Sequence, residues 1–265
     1  MGRLDGKVVL ISGGARGQGA TEAKVFVREG AKVVFGDILD EEGKQVEAEI
    51  RATGGEATYV HLDVTSEDSW RAAVDTTVRL YGQLNILVNN AGIYIRKRIE
   101  ETTEDDLDQI MAVNIKGVFL GTKHEIPVMQ RAGGGSIINI SSTAGLVGNP
   151  NGSSRLFTKA TAVQHARDNI RCNSVHRSPI ETYMLTEAAG GLEEAYRQRV
   201  PLDRFGITDD IAYGVLSTWT KVLPQFTPLE NQSCISFQTV GESLRLLRTD
   251  VGMTHKPKMV ANNTL

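Results

Sequence analysis

The sequence predicts an α/β domain of the doubly wound kind, with one central parallel sheet covered by helices on both faces. Three observations predict it. Short, continuously apolar runs alternate with segments of helical periodicity. The first run passes directly into a glycine-rich turn, and the second ends on an acidic residue, Asp37. Strands buried on both faces read as unbroken apolar runs, and parallel neighbours need a crossover, usually a helix.

Taken in order, Lys7 to Ile11 reads as the first buried strand, and a helix follows from Gly17 to Glu29, with Gly30 placed to end it. Ala31 to Phe35 is the second strand, Asp40 to Ala52 a polar helix, and Ala57 to Leu62 the third strand. Glu67 to Tyr81 is helical because Trp70, Val74, Val78 and Tyr81 fall three or four apart. Leu84 to Val88 is the fourth strand. One long helix is expected from Glu104 to Gln130, with Leu107, Ile110, Met111, Ile115, Val118 and Phe119 on its apolar side. Gly133 to Gly135 stops it, and Ser136 to Ile140 is the fifth strand. Cys234 to Val240 alternates in the manner of a strand.

No linker, repeat or shift of composition divides the chain before about residue 215, so residues 1–244 are expected to form one domain and 245–265 a polar, mobile tail. With 29 Lys and Arg against 32 Asp and Glu, the net charge of −3 argues against nucleic-acid binding. Two cysteines cannot make a disulfide scaffold, and His61, His124, His165, His176 and His255 show no metal-ligand spacing with them. No metal is expected. No run approaches eighteen apolar residues and the first residues do not read as a signal peptide, so a cytoplasmic protein without a membrane span is expected.

The segment Ser12-Gly13-Gly14-Ala15-Arg16-Gly17-Gln18-Gly19 joins the first strand to the first helix. Glycines allow a tight turn and close backbone approach, and the helix start then offers free N–H groups to an anion. Asp37 follows Gly19 by eighteen residues, where a carboxylate can accept hydrogen bonds from both hydroxyls of an adenosine ribose. A carboxylate repels a 2′-phosphate, so Asp37 favours NAD over NADP. Arg16 can contact a phosphate and moderates that preference. The chain has no Gly-x-x-x-x-Gly-Lys-Ser/Thr, which disfavours a nucleoside-triphosphate loop.

Later segments extend the pattern. Asp63-Val64, Asn89-Asn90-Ala91-Gly92, Asn114, Ser136 to Ser142, Lys159, Asn169 to His176 and Pro179-Ile180-Glu181-Thr182 occur in this order. Together with Ser12 to Gly19, this series resembles the short-chain dehydrogenase/reductase family over about residues 5–212. The likeness is to members acting on secondary alcohols, including hydroxysteroids. The resemblance implies a Rossmann-type sandwich with an atypical C-terminal part, and NAD as cofactor. It implies that Gly13, Arg16, Gly17 and Gly19 hold the dinucleotide, that Asp63 and Val64 flank its adenine, and that Asn90, Ala91 and Gly92 line the cofactor side of the fourth strand. Ser142 would hydrogen-bond the substrate oxygen. Lys159 would hold the nicotinamide ribose, and Asn114 would hold a water that relays a proton.

One position departs from that pattern. The family places a tyrosine thirteen residues after this serine and four before this lysine, and both counts arrive at Arg155. The tyrosine gives a proton to the carbonyl oxygen or takes one from the alcohol. A phenol titrates near 10 and can be tuned, whereas a guanidinium is effectively always protonated. From Lys159 to Ile170 there are eleven steps, where the family uses about nineteen, so the helix after Lys159 is expected to be shortened. Arg177-Ser178 stands where the family has Pro-Gly.

The expected function is hydride transfer between NAD(H) and a hydrophobic secondary alcohol or ketone, steroid-like molecules included, at a weak rate. The alternative is a catalytically impaired NAD-binding homologue with a scaffold or regulatory role. Met184, Leu185, Leu192, Tyr196 and Val200 suit a greasy substrate lid. The apolar helix from Glu104 to Gln130 suits a homodimer or homotetramer.

Overall fold

A computed structural model describes residues 2–95, 97, 99–142, 154–177, 179–189, 197, 204–219, 235–240 and 243–248. The first half alternates β1 (Val8–Ser12), α1 (Gly17–Arg28), β2 (Lys32–Asp37), α2 (Asp40–Ala52), β3 (Ala57–His61), α3 (Glu67–Tyr81) and β4 (Ile86–Asn89). Then come α4 (Glu104–Met111), α5 (Gly117–Arg131), β5 (Gly135–Ser142), α6 (Ser154–Gln164) and β6 (Ile170–Arg177). After them lie α7 (Tyr183–Ala189), α8 (Thr208–Trp219), β7 (Ile235–Val240) and β8 (Ser243–Arg248).

The strands form one sheet in the order β3-β2-β1-β4-β5-β6-β7-β8. Pairing is parallel throughout except for the last pair, β7 with β8. The order reverses beside β1, which lies between β2 and β4. At such a reversal the crossovers leave in opposite directions and open a crevice at the carboxyl ends of the strands.

Alternation along β1 sends Val9 and Ile11 to one face and Val8 and Leu10 to the other, and all four are buried. Val9 and Ile11 join Phe26, Val33, Phe35 and the α8 residues Ile211 and Val215 in one core layer. Val8 and Leu10 join Trp70, Leu87, Leu120 and Met129 in the other. Local signals set the helix ends: Ser66 accepts a hydrogen bond from the Ser69 N–H at the start of α3, and Gly82 closes it in the left-handed conformation. Among the described residues, no helix is long and apolar enough to cross a membrane.

Two expectations change. The helix expected to run unbroken from Glu104 to Gln130 contains a π turn over Ala112–Lys116 between α4 and α5, and a π turn carries an additional residue within an otherwise continuous helix. Residues 245–248, expected in the tail, lie in β8. There Leu246 pairs opposite Phe237 and Leu244 opposite Thr239, so the backbone groups of β7 find an antiparallel partner. Residues 249–265 lie outside the described residues, as do Cys234, Ser178, Leu192, Tyr196 and Val200.

Candidate functional site

The turn after β1 is built around positions where a side chain has no room. Gly13 has φ +70°, and a Cβ there would lie 2.7 Å from the Ala91 Cα. A Cβ on Gly19 would fall 2.1 Å from the Gly13 carbonyl oxygen. The turn is tied down from both sides. Gly13 and Gly14 N–H donate to the Gly36 carbonyl at 2.8 and 3.1 Å. Asn90 Nδ2 donates to the Ser12 and Gly13 carbonyls at 3.1 and 2.9 Å. Ser12 Oγ accepts from the backbone N–H groups of Asn90 and Ala91, both at 3.2 Å. Arg16, at the N-cap of α1, makes no side-chain capping bond, so the first turn keeps its orphan donors for an anion.

These strand ends border a cleft of about 620 Å³, within the size range of cofactor sites. Gly13, Arg16, Gly17, Asp37, Asp63, Val64, Asn90, Ala91 and Gly92 all line it. Gly19 packs beneath the turn. Asp37 is held at the end of β2: its Oδ2 accepts from Ala15 N–H at 3.1 Å, and its Oδ1 accepts from Ile38 N–H at 2.8 Å. Asp63 Oδ1 accepts from Thr65 N–H and Oγ at 2.9 and 2.8 Å, which fixes its carboxylate beside the apolar Leu39, Leu62 and Val64. A glycine cradle, a carboxylate at the second strand and an apolar flank fit the diphosphate, ribose and base of a dinucleotide.

The residues expected to serve the reaction lie outside the described lining of that cleft. Asn114 sits in the π turn, where its Oδ1 accepts from Ile93 N–H and its Nδ2 donates to the Ile93 carbonyl, both at 2.9 Å. Its amide therefore holds the segment after β4. Ser142 ends β5 and pairs in register with Arg177 of β6. Its carbonyl accepts from His176 Nδ1 at 3.1 Å. Lys159 is part-buried on α6. A buried relay positions that helix: Asn89 Nδ2 donates to Asn139 Oδ1, and Asn139 Nδ2 donates to Thr158 Oγ, each at 2.9 Å. The backbone of Arg155 lies on α6, four residues before Lys159. Residues four apart on a helix share a face.

Sequence reasoning assigned no role to four residues at or beside the site. Gln18 and Glu22 are buried in α1, although polar residues in a helix ordinarily face water. Burial pushes the Glu22 carboxyl up to about 8, against the opposing influence of Arg177. Arg177 and Tyr183 join the cleft lining. The one sequence signal was Arg177 itself, where the resemblance called for proline. Three histidines contact single carboxylates: His61 meets Asp40, His124 meets Glu67 and His165 meets Asp168. Among the described residues, no three His, Cys, Asp or Glu side chains converge as metal ligands.

Fold and cleft together define a dinucleotide-binding α/β protein of the Rossmann type. Residues 7–191 match the family described as short chain dehydrogenase. The chain belongs to that family. It is 47% identical over 192 residues to a cyclopentanol dehydrogenase of Comamonas testosteroni, covering 69% of this chain and 77% of that one. It is 50% identical over 191 residues to a 3-alpha-(or 20-beta)-hydroxysteroid dehydrogenase of Mycobacterium tuberculosis, covering 69% and 72%. Among solved structures, a 3-ketoacyl-(acyl-carrier-protein) reductase from Brucella melitensis complexed with NADH superposes with a TM-score of 0.79 at 30% identity, covering 88% and 97%.

Proposed function

We propose that this short chain dehydrogenase binds NAD(H) and interconverts a small hydrophobic secondary alcohol with its ketone, at a rate restrained by Arg155. The observation that carries the reading is the convergence of Gly13, Gly17, Asp37, Asp63 and Asn90 to Gly92 on one cleft at the switch point. Relatives named for a cyclic alcohol and for hydroxysteroids support the substrate class, and the NADH complex of a structural neighbour supports the cofactor. Bound NAD(H) supplies or accepts the hydride.

The chain's own residues do the rest. The glycine turn and the start of α1 bind the diphosphate, and Asp37 accepts from the adenosine ribose. Ser142 Oγ donates a hydrogen bond to the substrate oxygen, and Lys159 binds the nicotinamide ribose. Arg155 keeps its proton throughout. It can polarise a carbonyl but cannot take up the alcohol proton, and loss of a general acid/base lowers rates roughly 10²- to 10⁴-fold. That property also favours a second reading, an NAD-binding homologue acting as scaffold or regulator. Exposed Leu107, Met111 and Phe119 support pairing of two copies through α4 and α5.

Calorimetric titration with NAD, NADH and NADP, followed by a panel of cyclic and steroid alcohols and ketones, tests the proposal. NAD binding with slow turnover supports the first reading, and NAD binding with no turnover supports the second. Absence of any dinucleotide binding rejects both. Light scattering that finds only monomers at all concentrations would reject the dimer.

A further inference from the structure

Three polar side chains beside the cleft lack the partners that buried polar groups ordinarily have. Gln18 and Glu22 lie one turn apart on α1, and Arg177 lies at the end of β6. Gln18 Nε2, both carboxyl oxygens of Glu22 and Arg177 Nε are closed to solvent, with no hydrogen bond among the described residues. Gln18 and Arg177 also line the cleft.

The guanidinium is poorly served by its surroundings. Among the described residues its hydrogen-bond contact is from Nη2 to Met184 Sδ at 3.8 Å, and a thioether is a weak acceptor. Glu22 is the nearby carboxyl, yet neither of its oxygens meets a donor. Burial favours its neutral form. A buried cation left in this condition is costly unless a ligand pairs with it. Both residues line the cleft; a guanidinium offers only donors there, and the Gln18 amide presents its N–H by a turn of its end group, so the complementary ligand carries several anionic oxygens. Position narrows the choice. Gln18 follows Gly17 in the first turn of α1, and a Cβ on Gly17 would lie 3.7 Å from Thr182 Cγ2, so the chain just beyond β6 abuts the glycine turn.

We propose that Arg177, assisted by Gln18, is a second anchor for the diphosphate of the dinucleotide, additional to the glycine turn. This inference rests on the NAD reading. It differs from the expectation of proline at this position, which has no donor to offer.

The test is calorimetric binding of ADP-ribose and of adenosine to the full chain, unmodified and as Arg177→Met and Gln18→Leu. Arg177→Met should weaken ADP-ribose binding by about tenfold or more, the scale of a hydrogen bond to a charged group. Gln18→Leu should weaken it by roughly threefold, the scale of a neutral hydrogen bond. Adenosine, which has no phosphate, should bind each variant as it binds the unmodified chain. Unchanged ADP-ribose affinity in Arg177→Met overturns the proposal. So does a loss seen for NAD but absent for ADP-ribose, which would assign Arg177 to the nicotinamide end. If Arg177→Met fails to melt cooperatively, Arg177→Lys keeps the cation without the planar fork. It should weaken ADP-ribose and spare adenosine, and equal ADP-ribose affinity overturns the proposal. An unmodified chain that binds neither NAD nor ADP-ribose would overturn the cofactor reading itself.

Discussion

The guanidinium of Arg16 lies 4.8 Å from the centroid of the Tyr183 ring. The turn after β1 and the first residue of α7 therefore meet at the cleft that both line. Cation and ring attract through the ring quadrupole, and the contact holds Arg16 toward α7.

Tyr183→Ala should release Arg16 to meet a 2′-phosphate. NADP affinity is expected to rise about twofold to fivefold, a range set by the usual strength of such contacts at exposed sites, while NAD affinity changes less than twofold. Parallel calorimetric titrations decide it, and unchanged NADP affinity would remove Arg16 from cofactor choice.

Asp37→Ala should weaken NAD binding and narrow its preference over NADP. The same carboxylate accepts from Ala15, Ile38 and Leu39 N–H groups, so the glycine turn should loosen as well. A loss of about 1–3 kcal/mol of stability is expected for donors left without their charged acceptor. Urea unfolding alongside NAD and NADP titrations separates the two effects.

Arg155→Tyr should raise turnover by at least about tenfold, part of the range open to a general acid/base. The phenol would sit one turn before Lys159, on the same side of α6. A pH–rate profile on any substrate turned over should gain an ionisation absent from the unmodified chain. Brisk turnover by the unmodified protein, unchanged in Arg155→Ala, would place proton transfer elsewhere.

Stability should fall as pH rises through the neutral range. Glu22 loses its proton near 4.5 in the unfolded chain but holds it to about 8 in the fold. The folded state thus binds the additional proton, so its advantage is complete below about 4.5 and declines up to about 8. The slope from one carboxyl is at most about 1.4 kcal/mol per pH unit. Glu125, raised by its own burial, acts in the same direction. Glu22→Gln should flatten its share of the decline, read from urea midpoints at pH 5, 6, 7 and 8. A curve parallel to the unmodified protein's would show that Glu22 does not titrate in this window.

Much of this was legible in the chain itself. Strands β1, β2 and β4 announce themselves because a strand buried on both faces is apolar along most of its length. The cofactor cleft is legible because a tight turn admits only glycine where a Cβ would strike Ala91, and because Asp37 ends a strand at the rim. Other features left no such mark. A π turn adds a residue without changing composition, so Glu104 to Gln130 reads as one helix. Gln18 and Glu22 carry the side chains of a solvated face, and only their packing reveals that they are inside. Strand β8 is rich in arginine and reads as a tail until β7 is set beside it.

The π turn also has a rotational consequence. Eight residues separate Met111 from Phe119, and in an uninterrupted α-helix they would point about 80° apart. Five of those steps run through the wider π turn, at about 82° each, which brings the two back to within about 10° of one another. Both are exposed, as is Leu107 one turn earlier. The bulge that seats Asn114 against Ile93 thus acts as a phase shifter, aligning the greasy side chains of α4 and α5 into a single seam. Deleting one residue between Ala112 and Lys116 would give a continuous α-helix in which the two side chains stand seven steps apart, still within about 20° of one another, so the seam would survive while the seat of Asn114 against Ile93 is lost.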